Sequence, residues 1–397
     1  MLTRLMAAAA VLLAIAACTD PPTAERAVAP ADETIAHSGV SFWEVGATVS
    51  WNERATVLAA SRGVDVNRMY AYLSYAQFRA SEAAEATPGP HPPITAAIAG
   101  ASVAVLNAFF PLDVVANEEA LDAQERSAPQ PGGTPADFAA GEAIGRAIGA
   151  RVLTFAQGDG IGLTDPLLPP VGPPPVGPGR WIYTGGPIAR GGLGGRPFFM
   201  SSGSQLRPPP PPAFGGPEYT AALAELRAIA NTRTAAQIEL ANHWNVNQSP
   251  RSNATIMRVA RDLIVAHHRE DAEAARIMFL MNAAAFDAVV GCFEAKYTYW
   301  YIRPPQADPG LVTVFPAPPH PSYPAAHSCV SGAANGVLSA FFPSERTRLD
   351  NLAAQSGLSR LYAGIHYRFD TDAGLALGRS AAALALAADL DRVAPLP

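Results

Sequence analysis

The sequence is poor in cysteine, in charged residues and in long apolar runs. Three cysteines among 397 residues exclude a disulfide scaffold, and a chain of this length can bury a core without one. Charged residues make up 16% and the net charge is −6, which argues against a nucleic-acid partner, because such proteins present a clustered basic surface. Beyond the N-terminal run, no stretch reaches the roughly 18 uninterrupted apolar residues expected of a membrane-spanning helix.

The N-terminus has the pattern of an export signal. Its first four residues include Arg4, and the apolar run over 7–17 is too short to span a membrane as a mature helix. The run ends Ile-Ala-Ala-Cys at 15–18, which resembles a bacterial lipobox. We therefore predict a signal peptide over 1–17, lipidation at Cys18 and a flexible tether over 18–40, which would hold the protein in the periplasm or cell envelope. The alternative is an ordinary signal peptide with a chance cysteine.

Helical periodicity dominates from residue 41 onward and strand signals are scarce, so we predict a single all-α domain over 41–397. Its interior positions are filled with Ala, Leu, Glu and Arg, as helices favour. The candidate helices span 41–61, 66–86, 93–109, 135–157, 217–243, 252–268, 270–302, 325–341, 344–356 and 370–392.

A stretch rich in proline and glycine over 158–216 interrupts this pattern and must be a loop. Loops of this length are usually functional or mobile. The aromatic residues Trp181, Tyr183, Phe198, Phe199 and Phe214 favour a loop that packs over the helices. The alternative is a polyproline linker between two domains. We place the catalytic core in 217–397.

Three short segments in the last quarter of the chain combine cations, histidines and one carboxylate. They read Lys-Tyr-Thr-Tyr-Trp-Tyr-Ile-Arg-Pro at 296–304, Pro-Ala-Ala-His at 324–327 and Ser-Arg-Leu-Tyr-Ala-Gly-Ile-His-Tyr-Arg-Phe-Asp at 359–370. The side chains of Lys296, Arg303 and Arg360 supply about thirteen N–H donors, enough to surround a tetrahedral phosphate or vanadate. Together the segments predict an oxyanion site.

Lys296 and Arg303 are seven residues apart, which is two helical turns. We therefore expect both on one face of the helix over 270–302 or at its end, with Pro304 stopping that helix. A lone pair at this spacing more often marks a solvated face. The residues between the two cations are mostly aromatic, however, which is not typical of a solvent-facing surface.

The histidines have both functional and structural interpretations. His327 falls in the first turn of the helix predicted over 325–341, where free N–H groups attract an anion and lower a neighbouring histidine pKa. By itself, a capping or core histidine is the commoner explanation. His366 and Asp370 are four residues apart, so on a helix the carboxylate can accept the Nδ1–H and aim Nε2 at the pocket. An isolated pair of this kind is more often a surface ion pair.

The order and spacing of the segments resemble the superfamily that joins type 2 phosphatidic acid phosphatases, bacterial acid phosphatases and vanadium-dependent haloperoxidases. Its signature reads K-x6-R-P, P-S-G-H and S-R-x5-H-x3-D. The first and third segments match it in full. In the second, Ala325 and Ala326 replace Ser-Gly, which removes one hydrogen bond to the anion, worth roughly 1.5–3 kcal/mol. The resemblance covers most of the chain from about residue 41 and implies an all-α helical bundle around the anion site.

The resemblance also implies a role for each residue of the site. His366 would be the phosphoryl-accepting nucleophile or the vanadium ligand, with Asp370 orienting it, and His327 would be the acid and base. The oxyanion would be held by Lys296, Arg303, Arg360 and backbone N–H groups near Ala326. His320 and Phe293 fall at positions that line the halide pocket of haloperoxidases.

From these roles we predict a vanadium-dependent haloperoxidase-like enzyme, in which bound vanadate takes up hydrogen peroxide and a halide is oxidised. One alternative is an acid phosphatase that cleaves phosphate esters through a phosphohistidine and needs no cofactor. Another is a catalytically degenerate homologue that only binds an anion, suggested by Ala325. Membrane attachment is expected through the lipid anchor alone. The sequence leaves open the oligomeric state, and whether Cys292 and Cys329 form a disulfide or remain free thiols.

Overall fold

The computed structural model describes residues 46–62, 66–88, 91–126, 134–161, 174–185, 188–245 and 251–390. The predicted signal peptide, the lipidation site at Cys18 and the tether over 18–40 lie outside the described residues. Part of the predicted 158–216 loop lies outside them as well.

The described residues form thirteen α-helices, with short 3-10 turns at Pro111–Asp113 and Pro343–Glu345. Within these ranges there is no β-strand, only an isolated antiparallel bridge between Arg180 and Tyr301. The predicted all-α class is confirmed. The helices are α1 (Ala47–Arg62), α2 (Val66–Glu85), α3 (Ile94–Phe109), α4 (Val114–Arg126), α5 (Pro135–Gln157), α6 (Pro217–Thr232), α7 (Ala235–His243), α8 (Arg251–Ala266), α9 (Asp271–Tyr299), α10 (Pro304–Ala307), α11 (Ala326–Phe341), α12 (Arg346–Ala363) and α13 (Arg368–Leu390).

Several predicted helix boundaries are wrong. The helix expected over 217–243 breaks at Arg233, because Thr234 starts α7 with a capping box that includes Gln237. The helix expected over 344–356 continues as α12 to Ala363, where Gly364 in the left-handed region ends it (φ 78°). Helix α4 is not among the helices predicted from the sequence.

Helix α9 is the centre of the bundle and packs against α2, α11 and α13. Among the described helices it alone is long and apolar enough, by length and composition, to cross a membrane, but 94% of its most apolar window is buried inside the protein. Such burial on all sides is what a core helix requires. The last turn of α9 lies beside the segment that leads into α11, because Lys296 donates to the carbonyl oxygens of Pro321 and Ser322.

Close helix packing fixes the position of α11, which carries His327. A Cβ atom on Gly378 of α13 would lie 2.2 Å from the carbonyl oxygen of Cys329 on α11. A Cβ atom on Gly374 would lie 2.6 Å from the carbonyl oxygen of Ala325. Only glycine permits this approach, so α13 and the start of α11 are held together backbone to backbone.

The described part of the proline- and glycine-rich stretch has no regular element and packs on α9. The buried carboxylate of Asp287 accepts the backbone N–H groups of Phe198, Phe199 and Met200 at 2.6–3.0 Å. Burial raises the pKa of Asp287 to about 7, against the lowering effect of these hydrogen bonds. The described part of this stretch is thus attached to the core helix through a buried carboxylate.

Tyrosine hydroxyls hold the same stretch at further points. Tyr299 donates to the carbonyl of Pro208, Tyr301 to that of Pro212 and Tyr323 to that of Pro209, all at 2.7–2.8 Å. Of the five aromatic residues expected to pack, Trp181 and Phe198 are buried and Phe199 is partly buried, whereas Tyr183 and Phe214 are exposed.

Candidate active site

The three predicted cations come from three different elements. Lys296 lies in the last turn of α9, Arg303 precedes α10, and Arg360 lies in the last turn of α12. The prediction of Lys296 and Arg303 on one helix is wrong, because Trp300 adopts a left-handed conformation (φ 51°) and ends α9 after Tyr299. Arg303 instead has extended backbone, with φ −79° and ψ 148°, and reaches the site from the loop.

Lys296 is fully buried and holds the segment that leads into α11. Its ammonium group donates to the carbonyl oxygens of Pro321 at 2.9 Å and Ser322 at 2.8 Å. An ammonium group has three N–H donors, so these two bonds leave one for a bound anion.

Arg303 is fully buried and ties the three segments together. Its Nε donates to the carbonyl of His320 at 2.9 Å, and its Nη1 donates to the carbonyl of Ile365 at 2.9 Å. The same Nη1 lies 2.9 Å from Nε2 of His366. Since a guanidinium group can only donate, Nε2 of His366 must be the acceptor in this contact.

His366 and Asp370 form the predicted pair, although not on one helix. His366 precedes α13, and Asp370 lies in the first turn of that helix. The Asp370 carboxylate points back toward the helix start, where Oδ2 accepts the N–H of Tyr367 at 3.1 Å and lies 2.8 Å from Nδ1 of His366. Because Nε2 accepts from Arg303, Nδ1 carries the proton and donates it to Asp370. The pair is almost completely buried, so it is not a surface ion pair.

Ser322 is a part of the site that the sequence analysis did not identify. Its hydroxyl donates to Oδ2 of Asp370 at 2.5 Å, and its side chain is fully buried. Oδ2 therefore accepts from Ser322, His366 and Tyr367 together. A serine four residues before Ala326, between the two prolines of Pro-Ser-Tyr-Pro, is the only sequence signal of this role.

His327 and Arg360 are oriented by the end of α7. Nε2 of His327 lies 2.7 Å from the carbonyl oxygen of Trp244, so Nε2 carries the proton and Nδ1 is the basic nitrogen. Nη2 of Arg360 donates to the carbonyl of Ala241 at 3.1 Å, and its Nε donates to Ser359 Oγ. The sequence does not indicate which carbonyl groups orient His327 and Arg360, because every residue has a main-chain carbonyl.

The helix start beside His327 supplies the backbone donors predicted near Ala326. Ala325 is the N-cap of α11, makes no side-chain capping bond, and donates its own N–H to the carbonyl of Asp370 at 2.8 Å. The following N–H groups, from Ala326 to Ser328, belong to the first turn and have no partner within the helix. They carry the partial positive charge that favours an anion.

Burial without enough counter-charge lowers the pKa of every base in the site. Desolvation lowers the pKa of Lys296 to about 8, of Arg360 to about 9 and of Arg303 to about 10. The pKa values of His366 and His327 lie well below the usual histidine value. Burial is the larger cause, and the charge of the nearby cations is the second. Burial also raises the pKa of Asp370 to about 6, against the hydrogen bond from Ser322 and the charge of Lys296.

The histidines open into a cavity of about 300 Å³. Its lining includes His327, Arg360 and His366, together with His320 and Phe293, the residues predicted for a halide pocket. The rings of Phe293 and His320 are 5.2 Å apart. His320 is in turn 3.0 Å from Nη2 of Arg303 through its Nδ1. Six of the predicted site residues therefore line one cavity. They are Phe293, His320, Ala326, His327, Arg360 and His366. Arg303 and Asp370 are not part of the lining but contact His366.

Cys292 and Cys329 meet close to the site as free, fully buried thiols. They share a hydrogen bond, and Cys292 also contacts the carbonyl of Pro324 at 3.7 Å. Of the two alternatives, the structure therefore contains two free thiols and no disulfide between these cysteines. Their side chains are close enough to interact.

Comparisons with known proteins relate this fold and this segment order to one superfamily. Residues 275–393 match the PAP2 superfamily. A solved bacterial vanadium-dependent iodoperoxidase superposes with a TM-score of 0.72 at 22% identity, covering 86% of this chain and 96% of that one. A holo-type bacterial vanadium-dependent chloroperoxidase gives a TM-score of 0.65 at 15% identity, covering 81% and 91%. No curated protein matches the chain in sequence. At these identities the similarity shows the fold.

We predict that anion affinity falls as pH rises above about 8, the pKa of Lys296 in the free site. A bound anion raises that pKa, so binding is at full strength below pH 8 and weakens once the free ammonium group loses its proton. Calorimetric titration with sulfate, whose charge is constant in this range, measures the effect. In Lys296→Met we expect about 10- to 100-fold weaker binding at pH 7 and a smaller loss between pH 7 and 8.5. An equal loss in both proteins would contradict the assignment.

We predict that Ser322→Ala raises the pKa of Asp370 above about 6, because the Ser322 hydroxyl stabilises the ionised carboxylate. The carboxyl ¹³C shift of Asp370, followed against pH by NMR and assigned with Asp370→Asn, reports this directly. Ser322→Thr keeps a hydroxyl and should restore most of the shift. Ser339→Ala, in another buried serine, is the matched control. An unchanged Asp370 titration in Ser322→Ala would show that Ser322 does not position the carboxylate.

Proposed function

Since residues 275–393 of this chain belong to the PAP2 superfamily, we propose that the protein is a vanadate-binding, haloperoxidase-like enzyme that oxidises a halide with hydrogen peroxide. The observation that carries the proposal is an excess of buried positive charge. Lys296, Arg303 and Arg360 are at most 3% exposed, and Asp370 is the buried carboxylate among them. Among the described residues, none of the three cations forms an ion pair with a carboxylate. A bound oxyanion would supply the missing charge.

Vanadate fits this set of donors. Nε2 of His366 would be the ligand nitrogen, because Nδ1 donates to Asp370. Lys296, Arg303, Arg360 and the first-turn N–H groups of α11 would hold the oxygens. When bound, vanadate supplies a Lewis-acid centre that activates hydrogen peroxide toward halide oxidation.

The chain's own residues prepare this chemistry. The contact from Arg303 to Nε2 of His366 occupies the lone pair that a ligand needs, so binding requires Arg303 to turn its N–H toward the anion. Asp370 keeps the imidazole in the tautomer with a free Nε2. Nδ1 of His327, at the positive end of α11, is the nitrogen that can take up or release a proton during turnover.

Two observations favour the haloperoxidase over the phosphatase. The two solved structures with this fold described above are a vanadium-dependent iodoperoxidase and a vanadium-dependent chloroperoxidase. His320 and Phe293 also form a ring pair beside His366 and His327, at the positions predicted for a halide pocket.

The proposal includes a location in the cell envelope through a lipid on Cys18. The sequence at 15–18 supports this location.

An acid phosphatase is the second candidate, and the tautomer of His366 supports it. With its proton on Nδ1, His366 presents an unprotonated Nε2 that can attack phosphorus and form a phosphohistidine. The bond from phosphorus to the alcohol oxygen breaks in this step, and the leaving oxygen takes a proton from Nδ1 of His327, which must first have been protonated. Water then cleaves the phosphohistidine. The same cations would hold the phosphate oxygens. The two candidates therefore differ in the group bound at one site, which an experiment can separate.

We expect the protein without residues 1–18 to bind orthovanadate by calorimetry and then to brominate or iodinate phenol red with hydrogen peroxide. Loss of both in His366→Ala follows from loss of the ligand nitrogen, whereas His91→Ala, an exposed histidine, should behave as the unmodified protein. Vanadate binding without halogenation, combined with release of p-nitrophenol from its phosphate ester, would support the phosphatase. A folded protein that binds vanadate but does neither would support the degenerate homologue.

We predict that Ala325→Ser tightens vanadate binding by about tenfold or more, because a hydroxyl at the N-cap of α11 adds a donor worth roughly 1.5–3 kcal/mol to a charged ligand. Ala340→Ser, at the exposed end of the same helix, is the matched control. Unchanged affinity would mean that the backbone N–H groups already satisfy the anion at this place. If Ala325→Ser stays folded and still lacks both activities, the enzyme proposal fails in favour of anion binding alone.

A further inference from the structure

The cavity over the histidines is larger and more apolar than a halide and hydrogen peroxide require. We propose that it binds an apolar, ring-sized organic group directly beside the oxyanion. This inference rests on the proposed oxyanion site and adds the chemical class of the substrate. The cavity holds about 300 Å³, at the lower end of the range for pockets that bind organic ligands.

The charged and imidazole groups of the cavity are those of the proposed oxyanion site, namely the side chains of His320, His327, Arg360 and His366. Asn67, Asn245 and Ser331 are the other polar side chains of the lining. Each of the first four side chains already has a hydrogen bond that fixes its orientation. A ligand that fills the cavity therefore has a charged end at these four groups and an uncharged remainder.

Most of the remaining wall is apolar and comes from several elements. Val289 and Phe293 lie one turn apart on α9, and Val330 lies one turn beyond Ala326 on α11. Ile256, Phe315 and Ile365 complete the buried part of this wall. Placing an organic ring against such side chains removes apolar surface from water on both sides, which favours binding.

The outer rim is stiff, so little ordering is needed when a ligand binds. It includes Pro316, Pro318 and Pro319, together with Ala189 and Gly191 of the proline- and glycine-rich stretch. The N–H of Ala189 donates to the carbonyl of Pro319 at 3.0 Å, and its carbonyl accepts the hydroxyl of Tyr297. A rim fixed in this way costs less conformational entropy than a flexible loop.

Gly191 shows how closely this stretch approaches the apolar wall. Its backbone has φ +49°, and a Cβ atom there would lie 2.3 Å from the ring of Phe293. The stretch therefore lies directly against Phe293 and encloses the cavity from that side. This accounts for a long loop being held in place by Asp287 and by several tyrosine hydroxyls.

The ring-sized group can come from two sources. It can be bonded to the oxyanion, as the organic part of a phosphate ester, or it can belong to a separate neutral molecule that stands beside the oxyanion and receives the oxidised halogen. Both sources place the same apolar group against the same wall. Binding measurements separate them without any turnover.

Calorimetry with phosphate, methylphosphonate and phenylphosphonate tests the inference on the unmodified protein. We expect phenylphosphonate to bind at least tenfold more tightly than methylphosphonate, because the two share the charged end and differ in the ring. Phenol titrated into the phosphate-loaded protein tests the separate-molecule source. Binding of phenol there, or a gain for phenylphosphonate alone, supports the inference and identifies the source.

A variant pair locates the effect. Val330→Phe places a ring in the cavity and should reduce the ratio of phenylphosphonate to methylphosphonate affinity toward one. Val312→Phe makes the same change at a valine that is 66% exposed and should leave the ratio unchanged. Equal affinities for the two phosphonates in the unmodified protein, with no phenol binding, would overturn the inference while the oxyanion site stands. Failure of phosphate, vanadate and both phosphonates to bind would overturn the site itself and the inference with it.

Discussion

The structure depends on keeping three cations out of water around a single buried carboxylate. Lys296, Arg303 and Arg360 are almost fully buried, and Asp370 alone cannot balance them. Main-chain carbonyls supply most of the compensation, from residues 320 to 322, from Ile365 and from Ala241. Carbonyl dipoles offset part of the desolvation cost but carry no net charge. Burial is the main cause of the lowered pKa of each base, and a bound oxyanion would offset it.

The irregular segments follow from this constraint. A carbonyl engaged in a helix ladder is a poor acceptor for an outside cation, so the donors of Lys296 and Arg303 need loop backbone at 320–322 and 365. The breaks at Trp300 and Gly364 provide that loop backbone immediately beside the cations. Close packing of α13 on α11 through Gly374 and Gly378 then holds His327 near His366. The proline- and glycine-rich stretch closes the other side of the cavity.

The contact between Arg303 and Nε2 of His366 links the structure to the proposed chemistry. It satisfies a buried lone pair, and it selects the imidazole tautomer that a vanadium or phosphorus centre would need. Ligand binding therefore exchanges one partner of His366 for another, with Asp370 and Ser322 unchanged. Both proposed activities, peroxide chemistry and phosphoryl transfer, would use the site in this way, because each requires a tetrahedral oxyanion held at His366.

The sequence by itself determined the all-α class and the identity of the charged and histidine side chains, since helical periodicity and the spacing of Lys296, Arg303, His327, Arg360, His366 and Asp370 are written in residue types. It did not determine how those side chains are presented. Trp300 ending α9, the carbonyls that orient Arg360 and His327, and the hydroxyl of Ser322 on Asp370 depend on backbone conformation and on contacts between segments far apart in the chain. Every residue has a carbonyl, and serine occurs throughout the sequence, so only the tertiary structure decides which of them meets a buried charge.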